Sequence, residues 1–167
     1  MNFTRINQKG IGIISLIIIV AFLYGALTAY SFYNPSFNLS KYTPVYFLRN
    51  FNDDNRKEDL LKIANALEAY YEENRELPGQ VGFCGRIVTI TIPEAKDALS
   101  PYFPSGIPQD PANAGTGKDY FYLHKDRNTY VLLAVLENPP EGSTTYNYED
   151  CHDWPGDNVY NYKVSNE

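Results

Sequence analysis

The longest apolar run of the chain lies near its N-terminus. Residues 11–33 read IGIISLIIIVAFLYGALTAYSFY and contain no charged side chain. As a helix these residues extend about 35 Å, enough to cross a hydrocarbon core of about 30 Å. Arg5 and Lys9 precede the run, and tyrosines lie toward its other end, where they favour the headgroup layer. The pattern predicts a transmembrane helix over 11–33, with residues 1–10 as a cytoplasmic leader and the remainder extracytoplasmic.

Two other interpretations of this run stay open at the level of sequence. A cleaved secretory signal has an apolar region of about 7–15 residues, shorter than this one, although small residues would fit cleavage after Ala29. A buried helix of a cytosolic protein is the other. The anchor and the signal both place residues 34–167 outside the cytoplasm.

A helical period follows further along and predicts a helix from about Asp54 to Asn74. Its apolar positions are Leu60, Ile63, Ala64, Leu67, Tyr70 and Tyr71, which form one stripe. Its charged positions fall mostly elsewhere: Arg56, Lys57, Asp59, Lys62, Glu68, Glu72 and Glu73. Asp53, Asp54 or Asn55 is predicted to cap the start, Asn55 and Glu58 have capping-box spacing, and Pro78-Gly79 follows the end.

Residues 34–51 are predicted to be a juxtamembrane connector, because neither Pro35 nor Pro44 fits a helix interior. The aromatic residues of this connector are expected to lie against the bilayer surface or against the exported domain. They are Phe37, Tyr42, Tyr46, Phe47 and Phe51.

The second half of the chain alternates as strands do. A short strand is predicted over 86–92, a helical turn or two over 95–102, and a hairpin with strands 119–124 and 129–137. The strand 129–137 is apolar on both faces, which favours a central place in its sheet. A last strand is predicted over 159–164. The sequence therefore predicts an α+β fold: the transmembrane helix, then one exported domain over 52–167 with an amphipathic helix packed on a small antiparallel sheet.

Charge and composition narrow the function. Residues 34–167 hold 12 basic and 20 acidic side chains, a net charge of −8, so no nucleic acid is expected as a partner. An aromatic content of 15% argues against a wholly disordered chain. Twelve of the tyrosines lie beyond residue 34, and they fit either a sheet core or a surface for protein contacts.

The two cysteines carry the clearest chemistry. Outside the cytoplasm Cys84 and Cys151 are expected to form one disulfide, with a free buried pair as the alternative. A thiol site with His124 or His152 would need a base next to the thiolate, and no nucleophile signature surrounds either cysteine.

Acidic clusters offer weaker candidates. Asp150, Asp153 and Asp157 lie in an acidic loop that could bind calcium, with a solvated loop as the alternative. Paired carboxylates at 72, 73 and 76 fit a solvated helix face better than a hydrolytic site. No catalytic residue, resident cofactor or small-molecule substrate is predicted.

Several stretches resemble the type IV pilin and type II secretion pseudopilin family. Lys9-Gly10 before the apolar run 11–17 is similar to the prepilin cleavage motif. The segments RKEDLL (56–61), ALEAYY (66–71) and Leu77-Pro78 are similar to the end of the pseudopilin helix. Asp110-Pro111, YFY (120–122) and YVLLAVLE (130–137) are similar to the family's sheet.

This resemblance covers about residues 9–33 and 55–137. It implies a pilin-like domain, cleavage between Gly10 and Ile11, and a place in the inner membrane or in a cell-surface filament. The partners it implies are other pilin-like subunits or secretion and pilus assembly proteins, beside the lipid bilayer.

Two departures from the family pattern bear on function. The fifth residue after the cleavage position is usually glutamate, thought to pair with a neighbouring subunit's amine, and here it is Ser15. The two-proline connector also interrupts the usual single long helix. These departures favour a minor or non-core subunit, and no enzymatic activity is predicted because no nucleophile or metal-ligand set is recognised. The alternative function is a stand-alone anchored binding domain or adhesin, and an anchored hydrolase is a third.

Overall fold

The computed structural model describes residues 8–34, 37–87, 93–114, 118–148, 151 and 160–167, and side chains at all of these except 8–11 and 93–94. The chain divides into two compact units, Met1–Phe47 and Leu48–Glu167. Three α-helices occur in these described ranges: α1 Gln8–Tyr33, α2 Pro44–Asn74 and α3 Pro93–Leu99. Four strands occur there as well: β1 Cys84–Arg86, β2 Phe121–Asp126, β3 Thr129–Ala134 and β4 Tyr162–Ser165.

Helix α1 confirms the helical interpretation of the N-terminal apolar run. Its stretch Gly12–Tyr33 is long and apolar enough to span a membrane, with a mean hydropathy of 2.4 and no buried residues in its most apolar window. A 3₁₀ turn at Leu39–Tyr42 follows it, started by Asn38, whose side chain accepts a hydrogen bond from the Ser40 N–H.

Helix α2 starts ten residues earlier than predicted. Pro44 stands at its first position, where the fixed φ of proline suits a helix and no N–H is needed. The Thr43 hydroxyl accepts from the Tyr46 N–H at 3.2 Å, as an N-cap does. The predicted caps at Asp53, Asp54 or Asn55 are therefore wrong, and the connector predicted over 34–51 includes the first two turns of α2. The predicted end at Asn74 is confirmed, and Glu58 and Lys62 form an i,i+4 ion pair at 2.9 Å.

The sheet is antiparallel with the strand order β1-β2-β3-β4. Strand β3 lies between β2 and β4, which confirms its predicted central place. Its hairpin with β2 turns at Arg127-Asn128, two residues shorter than predicted, because Lys125 and Asp126 extend β2 past a register irregularity. Strand β3 ends at Ala134 rather than Glu137, since the Asn161 side chain bonds both the N–H and the C=O of Leu136.

The two outer strands of the sheet cover other residues than predicted. β1 covers Cys84–Arg86 and meets the predicted strand 86–92 only at Arg86, while residues 88–92 lie outside the described residues. β4 begins at Tyr162, three residues after the predicted start at 159. The predicted helical turns over 95–102 are confirmed as α3 and a 3₁₀ turn at Ser100–Tyr102.

Both faces of the sheet are covered, which explains the doubly apolar pattern of β3. One face packs on α2, where Leu60, Ile63 and Leu67 meet Tyr122 and Leu132 in a fully buried cluster. The other face holds a smaller cluster, whose buried members are Cys84, Phe121, Val131, Leu133, Cys151 and Tyr160. The predicted packing of an amphipathic helix on a small antiparallel sheet is therefore confirmed.

Candidate functional site

The apolar surface of α1 is the most extensive candidate for an intermolecular contact in the first unit. Side chains from Ile13 to Val20 are all exposed, and a Cβ added at Gly12 or Gly25 would meet no atom within 4 Å. The Thr28 hydroxyl donates to the Tyr24 carbonyl at 2.8 Å, so this polar group is satisfied within the helix. A helix with an apolar surface and internally paired polar groups can pack against lipid or against other apolar helices.

The predicted processing site lies in α1, and the predicted calcium residues lie outside the described residues. Gly10 and Ile11 belong to the first turns of α1, where only the backbone is described, so cleavage between them stays a prediction. The calcium candidates Asp150, Asp153 and Asp157 lie outside the described residues, as does His152.

The predicted disulfide is present in the second unit. Cys84 and Cys151 are bonded, with 5.8 Å between their Cα atoms, and the bond joins β1 to a segment 67 residues further along. Both cysteines are buried. A free buried pair is therefore excluded, and neither sulfur is available as a thiolate nucleophile in this structure.

A buried arginine organises the second unit. Arg56 in α2 is fully buried and donates from Nε and Nη2 to the two carboxylate oxygens of Asp110, at 2.8 and 3.1 Å. Its Nη1 donates to Asp53 Oδ1 at 2.6 Å, and its Nη2 also donates to Glu137 Oε1 at 3.1 Å. The guanidinium thus connects α2 to the proline-rich loop and to the segment after β3.

Backbone donors complete this cluster. Asp53 accepts from the N–H groups of Glu137 and Asn138, and Asp110 Oδ1 accepts from those of Ala112 and Asn113. Glu137 is partly exposed and also pairs with Arg49 at 3.2 Å. Each buried carboxylate therefore keeps hydrogen-bond donors besides the arginine.

The electrostatics of the cluster match its contacts. Burial alone lowers the pKa of Arg56, but the hydrogen bonds and charge of Asp110, with the bonds from Asp53 and Glu137, outweigh it and raise the pKa above its ordinary value. The centre among these carboxylates is occupied by the guanidinium. Within the ranges that the structure describes, no group of three His, Cys, Asp or Glu side chains could hold a metal ion. The cluster therefore ties three segments of the chain together.

Sequence reasoning missed this arginine by placing Arg56 among the charged residues off the apolar stripe. The spacing of Arg56, Leu60, Ile63 and Leu67 is i, i+4, i+7 and i+11, so the stripe begins one turn earlier with a charged residue. That spacing is the sequence feature that could have indicated that Arg56 faces the core.

Buried tyrosines form a second polar layer. Tyr120 and Tyr130 donate to Asp59 and Glu68 of α2, at 2.8 and 3.2 Å. Tyr122 donates to the Pro78 carbonyl and Tyr160 to the Asp119 carbonyl, at 2.9 and 2.7 Å. These four belong to the core rather than to a contact surface, and burial raises the pKa of each. Tyr162, in contrast, is only half-buried.

His124 borders a cavity with both polar and apolar lining residues. Its Nδ1 lies 3.1 Å from the Gly79 carbonyl, and its Nε2 is buried without a hydrogen-bond partner. The cavity has a volume of about 340 Å³ and is lined by Glu76, Leu77, Gly79, Gln80, Val81, His124 and Arg127. None of these lining residues is a serine, threonine or cysteine.

The remaining acidic candidates are dispersed. Glu72 and Glu73 are exposed, and Glu73 accepts a hydrogen bond from the Tyr102 hydroxyl at 2.8 Å, which raises the pKa of Tyr102 to about 12. Glu76 faces the cavity beside His124.

Comparison of the chain with protein-family models, with curated proteins and with solved structures yields no match.

Proposed function

We propose that this chain is a membrane-anchored, pilin-like structural subunit of a type II secretion or type IV pilus type machine. In this proposal residues 1–10 are cytoplasmic, α1 lies in the inner membrane, and the α+β unit is extracytoplasmic. It acts by contacts with other subunits and catalyses no reaction. The proposal is supported by one observation above others: a single chain holds an exposed apolar helix and a unit in which α2 packs on an antiparallel sheet.

Ser15 gives the proposal its finer form, a minor or non-core subunit. A carboxylate within a membrane helix is costly unless it finds a partner, so the usual glutamate is useful only where a neighbour's amine meets it. Ser15 carries no charge and therefore needs no charged partner from a neighbouring subunit. Exposed small residues along α1 still permit close packing against other helices.

The decisive experiment compares the wild type with Ser15→Glu and with the neutral isostere Ser15→Gln. Filament yield is measured by sedimentation and electron microscopy in cells that assemble a pilus. We expect few filaments from the wild type, more from Ser15→Glu, and no gain from Ser15→Gln. Abundant long homopolymers of the wild-type chain would contradict the minor-subunit proposal. An intact mass of the native protein tests cleavage after Gly10, and a mass that begins at Met1 would contradict it.

A stand-alone anchored binding domain or adhesin is the alternative. The break between α1, which ends at Tyr33, and α2, which begins at Pro44, favours it, because the family has one long helix. A native protein that stays monomeric, keeps Met1 and copurifies with no pilus component would support this alternative.

A further inference from the structure

Exposed apolar side chains continue beyond α1 in the first unit. Tyr42 is 63% exposed, and Val45 and Phe47 in the first turn of α2 are 56% and 60% exposed. These three residues are called the collar below. In the sequence Leu48 and Phe51 follow them, and both are exposed as well. Apolar groups that are exposed in series in this way indicate a contact with something outside the chain.

Ring contacts place Tyr42 of the collar close to the end of α1. The Tyr30 ring, in the last turn of α1, lies 5.3 Å from the Phe37 ring, which stacks on Tyr42 at 5.4 Å. The Ser31 hydroxyl donates to the Phe37 carbonyl at 3.2 Å. If α1 spans a bilayer, Tyr30 lies at the level of the headgroups, and Tyr42 follows within two ring-to-ring contacts.

Charge favours a lipid surface as the occupant. Residues 34–52 contain Lys41 and Arg49 and no acidic residue, whereas residues 53–167 hold 10 basic and 20 acidic residues, a net charge of −10. An anionic membrane surface attracts the first segment and repels the second. Lysine beside exposed aromatic rings is also the composition found at membrane interfaces.

We propose that the collar of Tyr42, Val45 and Phe47 lies in the headgroup layer of the same bilayer that α1 spans. This inference rests on the anchoring part of the proposed function and adds a second contact to it. The collar fixes the start of α2 at the membrane surface, so the connector does not act as a free tether.

Tryptophan fluorescence tests this placement in the full chain. Phe47→Trp and Val45→Trp are each reconstituted into phosphatidylcholine vesicles with a minor share of phosphatidylglycerol, and the emission of the parent chain, which contains Trp154, is subtracted. Ile18→Trp reports whether α1 inserts. Leu61→Trp is the matched control, because Leu61 is an exposed apolar residue of α2 that follows Phe47 by 14 residues in the sequence. Circular dichroism verifies that every variant is folded.

Phosphatidylcholine brominated near the headgroup serves as the shallow quencher, and phosphatidylcholine brominated near the middle of the bilayer serves as the deep quencher that reports on residue 18. Interfacial groups lie about 5–10 Å deep, so we expect about twofold quenching at 47 and 45, deep-quencher sensitivity at 18 and no quenching at 61. Quenching at 18 without quenching at 47 and 45 would overturn the collar and leave the anchor intact. No quenching at 18 would overturn both. Equal quenching at 61 would show an unspecific surface contact and overturn the collar. A blue shift at 47 that depends on protein density, without quenching, would assign the surface to a second copy instead.

Discussion

Replacing Arg56 by methionine is expected to remove much of the stability of the second unit. Methionine fills similar space but leaves Asp53 and Asp110 buried without their cation, and four hydrogen bonds are lost. Removing one partner of a buried ion pair costs about 3–5 kcal/mol. Each carboxylate keeps two backbone donors, so we expect the lower part of this range, about 3–4 kcal/mol. A loss of that size is a large fraction of the roughly 5–15 kcal/mol that stabilises an ordinary domain.

Thermal and urea unfolding of the full chain in detergent micelles, followed by circular dichroism, measure this loss. Lys57→Met is the control, because the neighbouring residue Lys57 pairs with Asp54 at the surface. This replacement should lower the free energy of unfolding by less than about 0.5 kcal/mol. The double variant Arg56→Met with Asp110→Asn should recover part of the loss, since it removes one unpaired charge. A single variant Arg56→Met within about 1 kcal/mol of the wild type would refute the assignment of Arg56 as the centre of the buried cluster.

Two further predictions concern the core. Replacing Cys84 and Cys151 by serine should lower the free energy of unfolding by about 4 kcal/mol, from the entropy of a 67-residue loop. Two reactive thiols per chain in the unreduced, denatured protein would contradict the bond. Stability should also fall as the pH rises above about 10, because unfolded tyrosines ionise there while burial raises the pKa of Tyr120, Tyr122, Tyr130 and Tyr160 in the folded state. An ultraviolet titration should then show at least these four of the 15 tyrosines ionising together with unfolding, and a smooth titration of all 15 in a chain still folded would contradict it.

The elements with a strong repeating pattern could be predicted from the sequence. The uncharged run of α1 and the stripe Leu60, Ile63, Leu67 of α2 follow directly from period and length. Strand β3 was placed centrally because both of its faces are apolar, and both are indeed buried. The start of α2 was missed because its first two turns lack that stripe, so a search by period begins too late, and Pro44 was taken as a barrier rather than as a first residue.

The polar interior could not be predicted from local pattern. Asp110 lies 54 residues after Arg56 and Glu137 lies 81 residues after it. No local sequence pattern around these residues indicates that they are in contact. The disulfide was predicted because residues 34–167 were expected outside the cytoplasm, where disulfides persist, and two cysteines allow a single intramolecular pairing. The sequence did not decide whether the tyrosines lie in the core or at the surface. A tyrosine is compatible with either place until the hydrogen-bond partner of its hydroxyl is known.

The wide spacing of the Arg56 contacts has a consequence for the order in which the unit forms. A chain is made from its N-terminus, so the guanidinium is present with Asp53 long before Asp110 and Glu137 arrive. Until then it stays hydrated, since burying it early would leave charge without a partner. We expect the core around α2 to close only after Asp110 and the strands β2 and β3 have been made, so a shortened chain that ends before β2 should keep α2 open to proteases. Arg56 therefore couples the burial of α2 to segments that are made later in the chain.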